Sequence, residues 1–316
     1  MKKHAASSAE QAEQAGQTTG SQEVSDKKTL KQKALAKTPK KLRNASDLQV
    51  RFRTGFAYVA ISLVCILANE FTTVLLLAVL AGVSASEFFY MLRSDAKLPN
   101  EFLGVIAAVL YPVSMWLAGL AGMMVVTAVF LLVLLVWYVF WMRARISDVG
   151  VSFFGAAYCG LLLSGAMLVR TSLPDPWGGV LLLLVFFSVW ANDSFAYLVG
   201  RKLGRHKLAP RTSPKKSWEG FIAGLAGSML MWYGMTFIPG ISMAWWQALL
   251  FGLICGLAGV LGDLAESRIK RNSGFKDSGT IMPGHGGLLD RCDSLFLASA
   301  SSAVLLVLGG CIPYVF

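Results

Sequence analysis

Charge is scarce in this chain. Asp, Glu, Lys and Arg make up 15% of its 316 residues, whereas 55% are hydrophobic. Apolar runs of such length exceed what a soluble core needs, so a freely soluble domain is excluded and a membrane protein is expected. The cysteines lack pairing. Cys65, Cys159, Cys255, Cys292 and Cys311 stand singly, mostly inside apolar runs, with no CxxC spacing. This argues against a disulfide framework or a zinc site and leaves them as small core residues. The start of the chain has no apolar h-region with a small-residue cleavage site, so a signal peptide is not expected. P-loop, GxSxG and HExxH motifs are missing, which removes the commonest NTPase, serine-hydrolase and zinc-protease machinery. No internal repeat of the kind many secondary transporters carry is visible.

The polar material is concentrated. Residues 1–53 hold twelve Lys or Arg against five Asp or Glu and read as a solvated basic tail, whose 27–53 portion can lie against anionic head groups. Beyond it, a span needs about 20 mainly apolar residues. Nine windows qualify: 54–69, 71–92, 102–118, 121–142, 150–169, 178–200, 218–238, 246–262 and 294–315. The expected fold is therefore an all-α polytopic membrane protein of about nine transmembrane helices. The chain divides into the tail (1–53), N-terminal spans (54–170) and a C-terminal catalytic region (171–316). With the N-terminus in the cytoplasm, 28 of the 29 Lys and Arg fall on the cytoplasmic side and only Arg170 on the other, as the positive-inside rule requires. Gly220, Gly224 and Gly227, and Gly252, Gly256 and Gly259, recur at helix-face spacing and predict close helix packing.

Three polar clusters converge on that cytoplasmic side. In "WANDSFAYLVGRKLGR", Asp193 lies about two turns inside its span, a costly place for a carboxylate unless it serves a site or a structural hydrogen bond. The second cluster, Gly200 to Gly220, carries seven basic residues and no acid between Arg201 and Lys216, enough for several phosphates or for a plain anchoring loop. It ends in "SPKKSWEG", where Ser213 and Pro214 signal a turn. Lys215 and Lys216 follow, and Ser217 opens a helix whose free N–H groups suit an anion, with Glu219 in its first turn as a cap. In the third, Asp263 and Glu266 are three apart, as are Asp290 and Asp293, so each pair can share a helix face. Carboxylates from two neighbouring helix ends can then meet, the oxygen-rich setting of Mg²⁺, whereas His285 and Cys292 lack partners for a softer metal. Lys270, Arg271, Lys276, His285 and Arg291 are interleaved in a Gly-rich stretch. That combination suits a site handling several phosphates, where positioning and charge neutralisation supply the rate.

Ser267 to Asp293, "SRIKRNSGFKDSGTIMPGHGGLLDRCD", resembles the signature of the phosphatidate cytidylyltransferases, or CDP-diacylglycerol synthases, nearly position for position. "NDSFAYLVGRKLG" and "SPKKSWEG" are also similar to family motifs. Met282 and Cys292 depart from the usual residues but keep apolar character, and Ser217 replaces a commoner Thr with its hydroxyl retained. The resemblance implies the reaction of CTP with phosphatidate to give CDP-diacylglycerol and pyrophosphate. It also implies a requirement for one or two Mg²⁺ ions, held by Asp263, Asp290 and Asp293, and leaves room for an additional monovalent cation. On that basis Asp263, Asp290, Asp293, Lys270, Lys276 and His285 are the catalytic candidates. Ser213, Lys215, Lys216, Ser217, Arg271, Arg291 and Asp193 are the nucleotide-binding ones. The implied partners are CTP, phosphatidic acid, the bilayer and a homodimer, with no nucleic acid. The implied location is a bacterial inner membrane with the site on the cytoplasmic side. A CTP-dependent polyprenol kinase is the nearest alternative. A cation or solute transporter using Asp193 is a more distant one, because charge is almost absent across the midplane. CDP-alcohol phosphotransferases are disfavoured because DxxDGxxAR is missing.

Overall fold

A computed structural model describes residues 40–93, 98–209, 213–279, 281–282 and 286–312, with side chains described outside 40–51, 209 and 213–215. The chain forms two compact units, Met1–Gly55 and Phe56–Phe316. The described part of the first is helical. In chain order the helices are α1 (Lys40–Ala68), α2 (Glu70–Arg93), α3 (Glu101–Phe140), α4 (Ile146–Ala156), α5 (Ser164–Thr171), α6 (Trp177–Leu203), α7 (Trp218–Met235), α8 (Trp245–Asn272) and α9 (Leu289–Leu308). A π-turn at Ala157–Leu161 joins α4 to α5 within one apolar stretch.

Six of these stretches are long and apolar enough to cross a membrane: 70–93, 101–140, 146–171, 177–203, 245–272 and 289–308. The windows expected at 102–118 and 121–142 share the single helix α3, whose 40 residues would measure about 60 Å if straight, twice a bilayer core. It is not straight. Ala118 and Gly119 leave helical geometry, and Gly119 has φ 58°, ψ −147°, a conformation open to glycine. The Thr127 hydroxyl reaches the Tyr111 hydroxyl at 3.2 Å across sixteen residues. A Cβ at Gly122 would stand 2.5 Å from the Ser114 carbonyl. The two halves therefore fold back on one another. The seventh window, α7, falls short because Trp, Gly and Glu219 dilute its apolar content, and Phe52–Ala68 is apolar but shorter.

Phe71 packs on Trp116, Gly82 on Val109 and Gly104 on Phe89, which sets α2 against the first half of α3. The expected glycine faces do allow close approach. A Cβ at Gly220 would lie 2.5 Å from the Ala196 carbonyl and one at Gly252 2.7 Å from Met229 Cα, so α6, α7 and α8 meet backbone to backbone. Between apolar helices in lipid, such van der Waals contact and interhelical hydrogen bonds carry association. Phe88, Phe89, Tyr158, Phe186 and Phe296 fill the interior. Phe102, Met124, Leu132, Val136 and Phe140 face outward, where an apolar solvent accommodates them.

The all-α expectation holds, with one short β ribbon added among the described residues. Lys207–Ala209 and Ser213–Ser217 pair as an antiparallel ribbon, Lys207 opposite Ser217 and Ala209 opposite Ser213. Ser213 and Pro214, expected as a turn, belong to a strand. A two-stranded ribbon has only edge strands, so the missing proline N–H is tolerated. The Trp218 N–H continues the pairing to the His206 carbonyl at 3.0 Å and delivers the chain into α7.

Candidate active site

Helices α8 and α9 touch where a Cβ on Gly262 would stand 2.5 Å from the Asp293 carbonyl. That close approach sets Asp263, the next residue along α8, beside Asp293. Helix α6 is registered against α8 by Asn192 Nδ2, which donates to the Gly256 carbonyl at 2.9 Å, so the adjacent Asp193 reaches the same hollow. The result is a cavity of about 320 Å³ lined by Asp193, Asp263, Lys270, Asp277, Asp290, Arg291, Asp293 and Ser294. As expected from the sequence spacing, Asp290 and Asp293 occupy the first turns of α9.

A second cavity of about 470 Å³ shares Asp193 and Asp263 with the first. Tyr197, Leu208, Phe221 and Val260 give it apolar walls, and Arg201, Lys207 and Lys216 supply positive charge. Lys216 Nζ lies 2.5 Å from Asp263 Oδ2, and Ser267 Oγ donates to Asp263 Oδ1 at 3.2 Å. Ser217 lines this cavity while capping α7, its Oγ accepting the Gly220 N–H at 3.2 Å. Glu219 turns away and accepts from the backbone N–H of His206, whose ring Nδ1 is 2.7 Å from it.

The carboxylates differ in how they are occupied. Asp290 Oδ1 lies 2.5 Å from Lys270 Nζ, and its Oδ2 accepts the backbone N–H groups of Ser278 (3.0 Å) and Gly287 (2.9 Å). Lys270 also pairs with the fully buried Glu266 at 2.6 Å. Both Asp290 oxygens are therefore engaged, Oδ1 by Lys270 of α8 and Oδ2 by the Gly-rich loop. Among the described residues, Asp293 Oδ1 accepts its neighbour's backbone N–H, from Ser294 at 2.6 Å. Arg271 and Lys276 are exposed and line neither cavity, Arg271 Nη1 donating to the Phe275 carbonyl at 3.4 Å. His285 and the side chains of Ser213 and Lys215 lie outside the described residues.

The donor set tests the fit of a divalent ion. The polar cavity presents five carboxylates against Lys270 and Arg291, so an anion with several phosphates enters it favourably only with cations that neutralise the excess. Among the described residues no three His, Cys, Asp or Glu side chains converge closely enough to hold a metal by themselves. Mg²⁺ sites in general keep several waters and take one or two carboxylates together with substrate phosphates. The three expected metal ligands, Asp263, Asp290 and Asp293, all line this cavity and offer the hard oxygen donors that such an ion takes.

One residue was missed by reasoning from sequence. Glu87, buried in α2, accepts Ser278 Oγ (3.0 Å), the Leu288 N–H (3.1 Å) and the Leu289 N–H (2.8 Å). A lone acid within the apolar window 71–92 was the available signal. Its partners, some two hundred residues away, were not legible.

A sequence model described as the cytidylyltransferase family matches residues 49–308. The phosphatidate cytidylyltransferase of Staphylococcus haemolyticus (strain JCSC1435) is 41% identical over 160 residues, covering 49% of this chain and 61% of that relative. That of Staphylococcus aureus (strain COL) is 46% identical over 126 residues, covering 40% of this chain and 48% of the relative. The match to these relatives thus spans about half to three fifths of their length, whereas the family match runs through all the helices that build the two cavities. The chain belongs to the cytidylyltransferase family.

Proposed function

We propose that this chain is an integral membrane phosphatidate cytidylyltransferase. It transfers the cytidylyl group of CTP to phosphatidate, giving CDP-diacylglycerol and pyrophosphate. A non-bridging oxygen of the lipid phosphate attacks the α-phosphorus of CTP. The new P–O bond forms as the bond to the β-phosphate oxygen breaks, and pyrophosphate leaves with the electron pair. An already anionic nucleophile needs no strong base, in keeping with a site built of carboxylates and cations.

The observation that carries this reading is the pair of adjoining cavities, one charged and one largely apolar, that share Asp193 and Asp263. Two anionic reactants, one of them a lipid, need two such compartments meeting at the reacting atoms. Asp263 and Asp293 would hold Mg²⁺, which would supply charge neutralisation for the phosphates and Lewis-acid polarisation. Lys216, at the shared wall, orients a phosphate. Arg291 lines the polar cavity and offsets charge on the leaving pyrophosphate. Asp290 and Lys270 keep the Gly-rich loop in place. The chain crosses a bacterial inner membrane nine times, counting the two halves of α3, α7 and the 52–68 helix as spans, with its N-terminus and both cavities at the cytoplasmic side. The one-sided distribution of Lys and Arg supports that orientation.

The test is turnover by purified protein in phosphatidate-containing vesicles, with CTP labelled on either the α- or the γ-phosphate. Label from the α-position alone entering lipid is the expected result. Transfer of the γ-label alone would make the protein a lipid kinase, and transfer of neither label would overturn the reading.

A further inference from the structure

Helix α9 carries Asp290, Arg291 and Asp293, yet it begins without a local cap. Its N-cap residue is Leu288, which has no side-chain acceptor to offer the first N–H groups. Exposed N–H groups at a helix start need partners, and a charged acceptor there is the strongest available. Glu87 provides it from α2. Oε1 accepts the Leu288 N–H at 3.1 Å and Oε2 the Leu289 N–H at 2.8 Å, and the residue is only 5% exposed.

The same carboxylate grips the far side of the loop. Ser278 Oγ donates to Glu87 Oε2 at 3.0 Å, while the Ser278 N–H donates to Asp290 Oδ2 at 3.0 Å. Ser278 is thus pinned between two carboxylates, one from each half of the chain. The loop glycines are explained by this clamp. A Cβ on either Gly279 or Gly287 would collide with the Glu87 carboxyl group. At Gly286, where φ is +90°, it would stand 2.7 Å from Asp290 Oδ2. Two of the glycines therefore admit Glu87, and the third admits Asp290.

We propose that Glu87 is a positioning residue for the transfer reaction. By capping α9 and clamping Ser278, it fixes Asp290, Arg291 and Asp293 relative to Asp263, and so makes α2 part of the working site. This rests on the reading of the site as a cytidylyltransferase centre. Glutamine in place of Glu87 offers a single acceptor oxygen and turns an N–H₂ group toward one of the backbone N–H groups, so it cannot serve both Leu288 and Leu289. Aspartate keeps the charge but is one methylene shorter.

The experiment uses the full chain in detergent or vesicles and reads two quantities. The first is amide hydrogen exchange of the segment containing Leu288 and Leu289, which needs no turnover and so stands even if the proposed activity fails. The second is steady-state transfer from CTP to phosphatidate in wild type, which tests the activity itself. In Glu87→Gln, exchange of that segment is expected to rise roughly ten-fold or more, with a similar fall in kcat and the KM for CTP within about three-fold. Glu87→Asp is expected to recover part of both. Ser278→Ala removes one arm of the clamp with little risk to folding and is expected to lower kcat by several-fold, about one hydrogen bond's worth. It decides the matter should Glu87→Gln fail to fold. Unchanged exchange in the folded Glu87 variants would overturn the proposal, as would raised exchange with wild-type kcat, or wild-type kcat in Ser278→Ala.

Discussion

Lys216 Nζ stands 2.5 Å from Asp263 Oδ2, joining the strand that enters α7 to the C-terminal half of α8 where the two cavities adjoin. Both side chains are about a quarter exposed, so the pair is worth little as a stability element and either partner can exchange the other for a substrate or an ion. Lys216→Met should therefore raise the KM for a phosphate-bearing substrate by about ten-fold, the scale of one charge-assisted contact, and leave the melting temperature within a few degrees. Steady-state kinetics beside a thermal unfolding curve check both parts.

Asp290 and Asp293 should separate in their effects. Asp290→Asn leaves Lys270 and Glu266 without their third partner and weakens the hold on Ser278 and Gly287, so stability is expected to drop by about 1–3 kcal/mol along with activity. Among the described residues, Asp293→Asn disturbs the contact with Ser294 alone and should leave the unfolding midpoint close to wild type while reducing turnover by about 100-fold or more. Equal losses of stability in the two variants would contradict the division of roles.

Gly262 and Gly234 form a matched pair of tests. Alanine at Gly262 drives a methyl group against the Asp293 carbonyl, so α8 and α9 must part and the carboxylates with them. Activity is expected to fall by about ten-fold or more, with a cost to stability of about 1–3 kcal/mol. Gly234 has open space around it, and alanine there should be neutral or slightly stabilising through its better helix propensity. Thermal unfolding and turnover of both variants decide.

Chelation should abolish transfer by the wild-type protein, and added Mg²⁺ should restore it, because five carboxylates around one cavity repel a triphosphate that arrives without a cation. Calcium, which tolerates irregular coordination, should bind without supporting comparable turnover. Nucleotide binding measured calorimetrically with and without each ion separates loss of binding from loss of chemistry.

Much of this architecture could be read along the chain because it is local. Apolar windows and the Asp290/Asp293 spacing depend on 3.6-residue periodicity, and every expected window carries helix. The reversal at Gly119 is legible as the boundary between the windows 102–118 and 121–142, and the backbone leaves helical geometry at Ala118 and Gly119, between them. The ribbon at 207–217 was hidden because a five-residue strand of Ser, Pro and Lys has no apolar alternation to announce it. Glu87 was hidden for a different reason. Its meaning lies in Leu288, Leu289 and Ser278, which no local pattern links to it.

By itself, then, the sequence determined that the chain is helical with several segments apolar enough to cross a membrane, its charge gathered between them, since hydrophobicity and charge are properties of each residue wherever it ends up. It also determined which residues are able to bind phosphate or a hard cation. Only the tertiary structure decided how those residues are employed: Asp290 turned to Lys270 and its own loop, Asp263 paired with Lys216 and Ser267 where the two cavities meet, Asp193 and Asp293 set in the wall of the polar cavity, Glu87 brought in to hold the start of α9. The physical reason is that a carboxylate's role depends on which donors already occupy its oxygens, and those donors arrive from helices distant in the chain.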